Sequence, residues 1–330
     1  MTDQIRTNSA PGPAPGPTPG TTPGPAAADA RRATAVGGIA ILMWSTLALL
    51  TDLAGPVPPF LLVGLSFGIG GVTALGILLA RGVRPLTVLR QPPPVWLLGV
   101  GGLFGYHSLY FLALQTAPAV EANLINYLWP LLIVLFAGLL PGERLGRSAL
   151  AGAACGLAGT LLLVTGGQGL QVRAEYLPGY LAALACAVTW AGYSVLSRRF
   201  GQVPTEAVTG FILATSLLAL VCHALFEAPV WPDAGAWLVM AAMGVGPVGI
   251  AFFVWDHGVK RGDIQTLGAL SYATPLLSTA VLIIAGRGEL TAAVAGAGVL
   301  IVGGAVLAGR GLVRSRRSAP GATPGETSPG

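Results

Sequence analysis

Charge is what this 330-residue chain has least of: only 9% of its residues are Asp, Glu, Lys or Arg. A soluble domain carries roughly 25%, so this composition cannot furnish a water-facing surface. Lysine is nearly absent, Lys260 being the single one among 18 basic residues. The net charge of +5 is spread over loops rather than gathered in one patch, which argues against a nucleic-acid partner. Cysteine is scarce too. Cys155, Cys186 and Cys222 lie inside apolar stretches without metal-ligand spacing, which argues against a disulfide framework or a thiolate metal centre and leaves free buried thiols. No catalytic residue set, cofactor or metal site is expected.

What the chain does have is 53% apolar residues and a mean hydropathy of +0.73. A lipid bilayer is the solvent that suits such a chain. Residues 1–33 and 312–330, rich in Pro, Gly, Ala and Thr, read as disordered tails. Between them, apolar runs predict helices near 34–54, 57–79, 94–115, 118–139, 147–165, 177–199, 205–227, 234–257, 263–285 and 291–311. Pro and Gly mark most joints, as at Gly55 with Pro56, Pro141 with Gly142, and Pro178 with Gly179.

The basic residues count the helices. In a ten-helix topology Arg6, Arg31, Arg32, Arg81, Arg84, Arg90, Arg144, Arg147, Arg198, Arg199, Lys260, Arg261, Arg310, Arg314, Arg316 and Arg317 share one side. Only Arg173 and Arg287 fall opposite. The positive-inside rule then puts both termini in the cytoplasm of a multi-pass protein. The bias to Arg, Ala, Gly and Pro points to a bacterial genome, hence to the bacterial inner membrane.

An offset of 145 residues superposes the two halves. Asn126–Leu132 (NYLWPLL) falls on Ser271–Leu277 (SYATPLL), so that Tyr127 meets Tyr272 and Pro130 meets Pro275; Trp44 matches Trp190 one residue out of step. Five helices per half is an odd number, so the second half inserts upside down. The expected fold is an all-α membrane protein of two inverted five-helix repeats, 34–165 and 177–311, with a substrate site near midplane between them. Pro130 and Pro275 fall near the bilayer centre, where a proline removes one helical hydrogen bond and bends the chain, and are read as hinges.

These residues resemble the drug/metabolite transporter superfamily in its EamA-type, ten-helix form. Residues 113–145 (ALQTAPAVEANLINYLWPLLIVLFAGLLPGERL) and 255–278 (WDHGVKRGDIQTLGALSYATPLLS) carry the resemblance, and the short motifs within them are similar to the aromatic amino-acid exporter branch. The likeness covers about residues 34–311. It implies a central cavity lined by aromatics of helices 3, 4 and 6, which here are Tyr106, Tyr110, Tyr127, Trp129 and Trp190.

The side chains fit that role. Tyr106 and Tyr110 are one helical turn apart and share a face. Tyr127 and Trp129 flank one centre, Asn126 adds an amide, and the repeat adds Tyr272. Tyr and Trp join an apolar plane to one hydrogen-bonding tip, a wall on which rings stack while tips or backbone bind a polar end. The expected partners are therefore a small-molecule substrate and the lipid bilayer. Other metabolites or drugs fit the same fold. Sugar phosphates do not, since no Lys or Arg lies inside the helices.

Further ionisable groups have two readings each. His107 is either a hydrogen-bonded structural histidine or a proton-sensitive gate. Asp52, Glu121 and Glu206 lie within about a turn of an interface, where water or a helix N-terminus suffices. Asp256 and Lys260, at i and i+4, are expected to pair. The pairs Gly64 with Gly68 and Gly152 with Gly156 allow close helix approach. Gly64–Gly68 also spells the G-x-S-x-G pattern around Ser66, which leaves an intramembrane serine hydrolase, with His107 or His223 as base, as the alternative of a different class.

Overall fold

The computed structural model describes residues 25–143, 145–168 and 173–314; most of both predicted tails, and Arg144, lie outside them. Ten membrane-length helices are present among the described residues, and no strand. They are α1 (Ala26–Leu53), α2 (Pro59–Ala80), α3 (Pro93–Thr116), α4 (Ala119–Ala137), α5 (Arg147–Thr165), α6 (Ala174–Phe200), α7 (Thr205–Phe226), α8 (Ala234–Arg261), α9 (Ile264–Ile284) and α10 (Ala292–Arg314). The first nine are long and apolar enough to span, and the tenth carries the apolar stretch Ala292–Ala308. Helices are the form that satisfies every backbone group within one segment, as hydrocarbon requires.

Helix runs into both predicted tails, α10 continuing to Arg314. Helix begins at Pro25, inside the predicted tail. Pro25 suits a first helical position, and Ala26, Ala27, Ala28 and Ala30 are the strongest of helix formers.

The inverted repeat appears as a pattern of antiparallel pairs. Gly37 of α1 lies against Gly258 of α8; at the same offset, Ala113 of α3 and Ala182 of α6 share one buried cluster. Thus α1–α8 and α3–α6 exchange under the pseudo-two-fold axis. The pairs α2–α7, α4–α9 and α5–α10 straddle it. Small residues make the straddling contacts. Gly64 and Gly68 meet Leu220 and Ser216 of α7, and Gly152 meets the carbonyl of Gly304 in α10.

The irregularities repeat as well. Helix α3 loosens into one π turn at Gly101–Gly105, and α8 does so at Gly246–Ile250, again 145 residues on. Such turns inside α-helices frequently mark functional sites. Helix α4 breaks at Tyr127 and Leu128, and α9 at Ser271 and Tyr272, each just before its proline. The symmetry fails at α1, which is interrupted at Ser45 and Thr46, whereas α6 runs unbroken from Leu177 to Leu196.

Both described ends of the chain lie on one face. The amide of Asp263 donates to Thr34 Oγ1, near the start of α1. The amide of Gly146 donates to Gln265 beside it, and α10 runs antiparallel to α5, which returns its C-terminal end to the same face. We call this the terminal face.

Backbone contact between α1 and α8 supports one prediction. A Cβ on Gly258 would come within 2.5 Å of Gly37 Cα, so Gly258→Val forces two helix backbones apart. Overpacking of this kind costs about 1–3 kcal/mol. Thermal unfolding in detergent should show a lower transition for Gly258→Val and an unchanged one for Gly38→Ala, whose added Cβ meets open space.

Candidate functional site

A cavity of about 650 Å³ lies between the repeats, within the range typical of small-molecule sites. Its walls are the second half of α1, the first half of α2, the second half of α3, the first half of α4, and parts of α8 and α9, with Trp190 of α6 at the base. Because neighbouring helices alternate in direction, those halves all belong to the face opposite the termini. The cavity opens there and ends blindly at mid-depth.

Aromatic rings build its base. Trp44 and Trp190, the two residues matched by the repeat, meet edge to face with centroids 5.4 Å apart and planes at 78°. Trp129 stands edge-on to both, at 6.5 and 6.4 Å. Trp255 lies beneath, fully buried and 5.0 Å from Trp44. These T-shaped geometries are those that ring quadrupoles favour. The indole of Trp44 donates to the Pro247 carbonyl in the π turn of α8, and that of Trp255 donates to Ser194 Oγ. Trp129 and Trp190 keep their indole N–H groups uncommitted.

One side wall is formed by Tyr106 and Tyr110, stacked at 6.2 Å with planes 6° apart. Tyr110 donates to Asn123 Oδ1 at 2.6 Å, and Asn126 Nδ2 donates to the Tyr106 hydroxyl at 3.1 Å. His107 is tied by its Nδ1 to the Leu103 carbonyl, 2.7 Å away in the π turn of α3. A carbonyl can only accept, so Nδ1 bears the hydrogen of this bond. His107 therefore takes up a carbonyl of a loosened helix while its ring lines the cavity.

Of the residues singled out from the sequence, Tyr106, Tyr110, Asn126, Tyr127, Trp129 and Trp190 line this one cavity. Tyr272 does not. It is fully buried, with its ring against Gly156 of α5, where a glycine leaves room for it. The break in α9 starts one residue earlier, relative to the repeat, than the break in α4, so equivalent tyrosines hold different positions in their breaks. Pro130 and Pro275 follow these breaks within the first turn or so of the resumed helices. The sequence reading missed Trp44, Phe67, His107, Phe111 and Phe252 as lining residues. Trp44 carried a usable signal, since its repeat mate Trp190 had been placed at the cavity.

The terminal face is shut by polar contacts. Lys260 Nζ lies 2.9 Å from Asp256 Oδ2, both groups being buried, and Thr205 donates to that same oxygen at 2.7 Å. Lys260 also donates to the Val203 carbonyl. Nearby, Arg198 pairs with Glu143 at 3.1 Å and donates to the carbonyls of Val259 and Gly262. These contacts join α6, α7, α8 and the segment between α4 and α5 beneath the aromatic base.

At the open face, Asp52 pairs with Arg287. Glu227, just beyond α7, accepts from the free amides of Phe60 and Leu61 at the start of α2, and His223 lies 2.8 Å from the same carboxylate. An acidic group at a helix N-terminus satisfies otherwise unpaired amides, so this contact fixes one lip of the mouth.

A serine hydrolase finds no support in this geometry. Ser66 lies mid-helix in α2, its hydroxyl buried without a hydrogen-bond partner. Since Ser66 Oγ has no hydrogen-bond partner, neither His107 nor His223 stands within reach of it as a base.

Known proteins agree with this architecture. Residues 34–165 and 177–310 each match the EamA-like transporter family, so one family unit corresponds to each five-helix half. A protein of Ancylobacter novellus named aromatic amino acid exporter YddG is 59% identical over 279 residues, covering 84% of this chain and 96% of its own. The protein of that name in Escherichia coli K12 is 27% identical over 296 residues, covering 84% and 96%. A probable terminal-alkyne amino-acid exporter of Streptantibioticus cattleyicolor is 28% identical over 285 residues, covering 81% and 92%. One crystal structure superposes with a TM-score of 0.81 at 57% identity, covering 84% of this chain and 98% of its own. With both halves matched and a cavity rather than a catalytic constellation between them, the chain belongs to the EamA-like transporter family.

Proposed function

We propose that the protein exports aromatic amino acids, or closely similar amphipathic metabolites, across a bacterial inner membrane by alternating access. In this reading Tyr106, Tyr110, Asn126, Tyr127, Trp129 and Trp190 bind the substrate, and Trp44 completes the base. The observation that carries it is the cavity itself: a ring-sized, aromatic-walled space between two inverted repeats, open to one face and closed to the other. The names of the 59% and 27% identical relatives support the cargo.

Loop charges support the orientation. Among the described basic residues, Arg173 and Arg287 alone fall on the open side of the ten-helix topology, so the positive-inside rule makes the terminal face cytoplasmic, with both termini there. The structure then corresponds to an outward-open state. To face inward, the protein must part the Asp256–Lys260 and Arg198–Glu143 contacts and close the outer mouth. Pro130 and Pro275, next to the helix breaks, are the proposed hinges, and the two π turns lie at matching places on α3 and α8. Inverted repeats suit such an exchange, since each half can adopt the conformation the other held.

Purified protein in vesicles loaded with labelled phenylalanine or tryptophan provides the test. The proposal expects efflux well above that of protein-free vesicles; equal rates contradict it. A second reading keeps the fold and changes the cargo, and the 28% identical relative named a probable terminal-alkyne amino-acid exporter favours an amino acid with a different side chain. Competition across a panel of aromatic and aliphatic amino acids separates the two.

A further inference from the structure

The cavity interior carries no formal charge among its lining residues except Asp52, which is at the mouth and already paired with Arg287. Everything deeper is neutral: Tyr, Trp, Asn, Ser, Thr, Phe, Met and a histidine whose Nδ1 donates to a carbonyl. Bringing a net charge into such a space without a countercharge is costly. A molecule bearing both signs side by side, neutral overall, avoids much of that cost if one donor and one acceptor meet its two ends.

Two hydroxyl–amide pairs face the cavity, and they differ. Tyr110 donates to Asn123 Oδ1 and Asn123 donates to the Ala119 carbonyl, so every polar atom of that pair has a partner. Tyr106 and Asn126 share one hydrogen bond only, and Asn126 Oδ1 is buried with no partner. Asn126 is 4% exposed and closes the first half of α4, immediately before the break. A buried unpaired amide oxygen costs about 1–3 kcal/mol, and such groups are rare enough in native proteins to call for a cause. The pair also has a property independent of which way the amide faces. If Nδ2 donates to the tyrosine, the hydroxyl hydrogen and Oδ1 remain. If the tyrosine donates to Oδ1, the amide hydrogens and a hydroxyl lone pair remain. In either case at least one donor and one acceptor stay unspent, side by side, and the Trp190 ring centroid is 5.4 Å from that of Tyr106.

We infer that the Tyr106–Asn126 pair is the subsite for an α-amino acid head group. Its unspent donor takes the carboxylate, its unspent acceptor takes the ammonium, and the cavity thereby selects zwitterions over amines or acids bearing the same ring. This rests on the proposed transport of aromatic amino acids and adds the part of the substrate that the aromatic walls cannot read. A neutral aromatic box alone disfavours the net charge of tryptamine or indole-3-propionate, but it offers no partner to either end of tryptophan.

Counterflow of labelled tryptophan into proteoliposomes at pH 7 tests it, with unlabelled tryptophan, tryptamine and indole-3-propionate as competitors. With the wild-type protein, each analogue should compete at least ~10-fold more weakly than tryptophan, one tenfold step being the loss of a single good polar contact. Tyr106→Phe keeps the ring and removes the hydroxyl. It should raise KM for tryptophan by a similar factor and bring tryptamine, which has no carboxylate for the hydroxyl to serve, to within about threefold of tryptophan. Asn126→Ala removes the acceptor for the ammonium and gives an independent check should Tyr106→Phe not accumulate: it should chiefly erase the discrimination against indole-3-propionate, which has no ammonium. Equal competition by all three compounds with the wild-type protein overturns the subsite while leaving aromatic transport standing. So does wild-type discrimination in both variants. If the wild-type protein carries no tryptophan at all, the cargo reading fails and the subsite fails with it.

Discussion

Replacing Lys260 with alanine should open the terminal face. The Asp256 carboxylate is 2% exposed and has two partners there, the Lys260 ammonium and the Thr205 hydroxyl. Removing one member of a buried ion pair strands the other, at a cost of about 3–5 kcal/mol. Because that cost is relieved by letting water reach Asp256, it bears on the closed terminal face more than on the open one. At 1.4 kcal/mol per factor of ten, the population open to the terminal face should rise ~100-fold or more. A cysteine at Thr274, on the cavity wall, reports this once Cys155, Cys186 and Cys222 are replaced. An impermeant maleimide applied from the terminal side should label Thr274→Cys far faster with Lys260→Ala than without it. A double change, Asp256→Asn with Lys260→Met, removes both charges and should restore slow labelling, since replacing a whole buried pair is close to neutral. Slow labelling in Lys260→Ala would mean that the pair is not part of the closure.

Trp190→Ala should remove most transport. Its ring touches Trp44, Tyr106, Trp129, Tyr193, Phe252 and Trp255, more aromatic partners than any other residue at the cavity. Each such pair is worth about 0.5–1.5 kcal/mol beyond its buried area, so a bound ring loses both its stacking face and the packing that holds the other faces in place. A fall of at least ~10-fold in the initial rate at low substrate is expected. Truncating a buried tryptophan also costs about 3–5 kcal/mol of fold stability, and Trp190→Phe is the control for that. It retains a ring, should stay in the membrane at the wild-type level, and should recover a large part of the rate. Wild-type rates in Trp190→Ala would remove the aromatic base from the account.

Most of the architecture was legible in the residues because membrane helices obey few rules. Twenty apolar residues span a bilayer, loop charges choose a side, and a repeat of odd helix number must invert. The contents of the cavity were only half legible. Tyr106 and Tyr110 share a face because they are one turn apart, and periodicity shows that directly. Tyr272 went astray because repeat matching aligns positions along the chain and says nothing of side-chain direction once a helix breaks. The break in α9 is shifted by one residue relative to that in α4, and a residue step on a helix is about 100°. Trp44, Phe67 and Phe252 escaped because each is the kind of residue that ordinary packing also uses; only the packing of α1, α2 and α8 brings them to one space. The π turns were written in Gly101–Gly105 and Gly246–Ile250 at the same offset as the rest of the repeat. Glycines in an apolar run, however, equally signal close helix approach, as Gly152 does against Gly304.

The contrast between the two faces is also one of chemistry. The terminal face is held by the buried Asp256–Lys260 pair, the half-buried Arg198–Glu143 pair and charge-assisted hydrogen bonds, which are strong while dry and weaken once water enters. The open face is held by Glu227 on the first turn of α2 and by the exposed pair of Asp52 with Arg287, which water already screens. A carrier must close one end as it opens the other, and here the strong contacts are on the end that is shut.

The central claim is that cargo passes through the aromatic cavity between the repeats. In the cysteine-free background, Thr274→Cys can be labelled to completion with an impermeant maleimide from the open face, and tryptophan flux measured before and after. The account predicts that labelling stops the flux and that saturating tryptophan slows the labelling itself. Undiminished flux through fully labelled protein would contradict it.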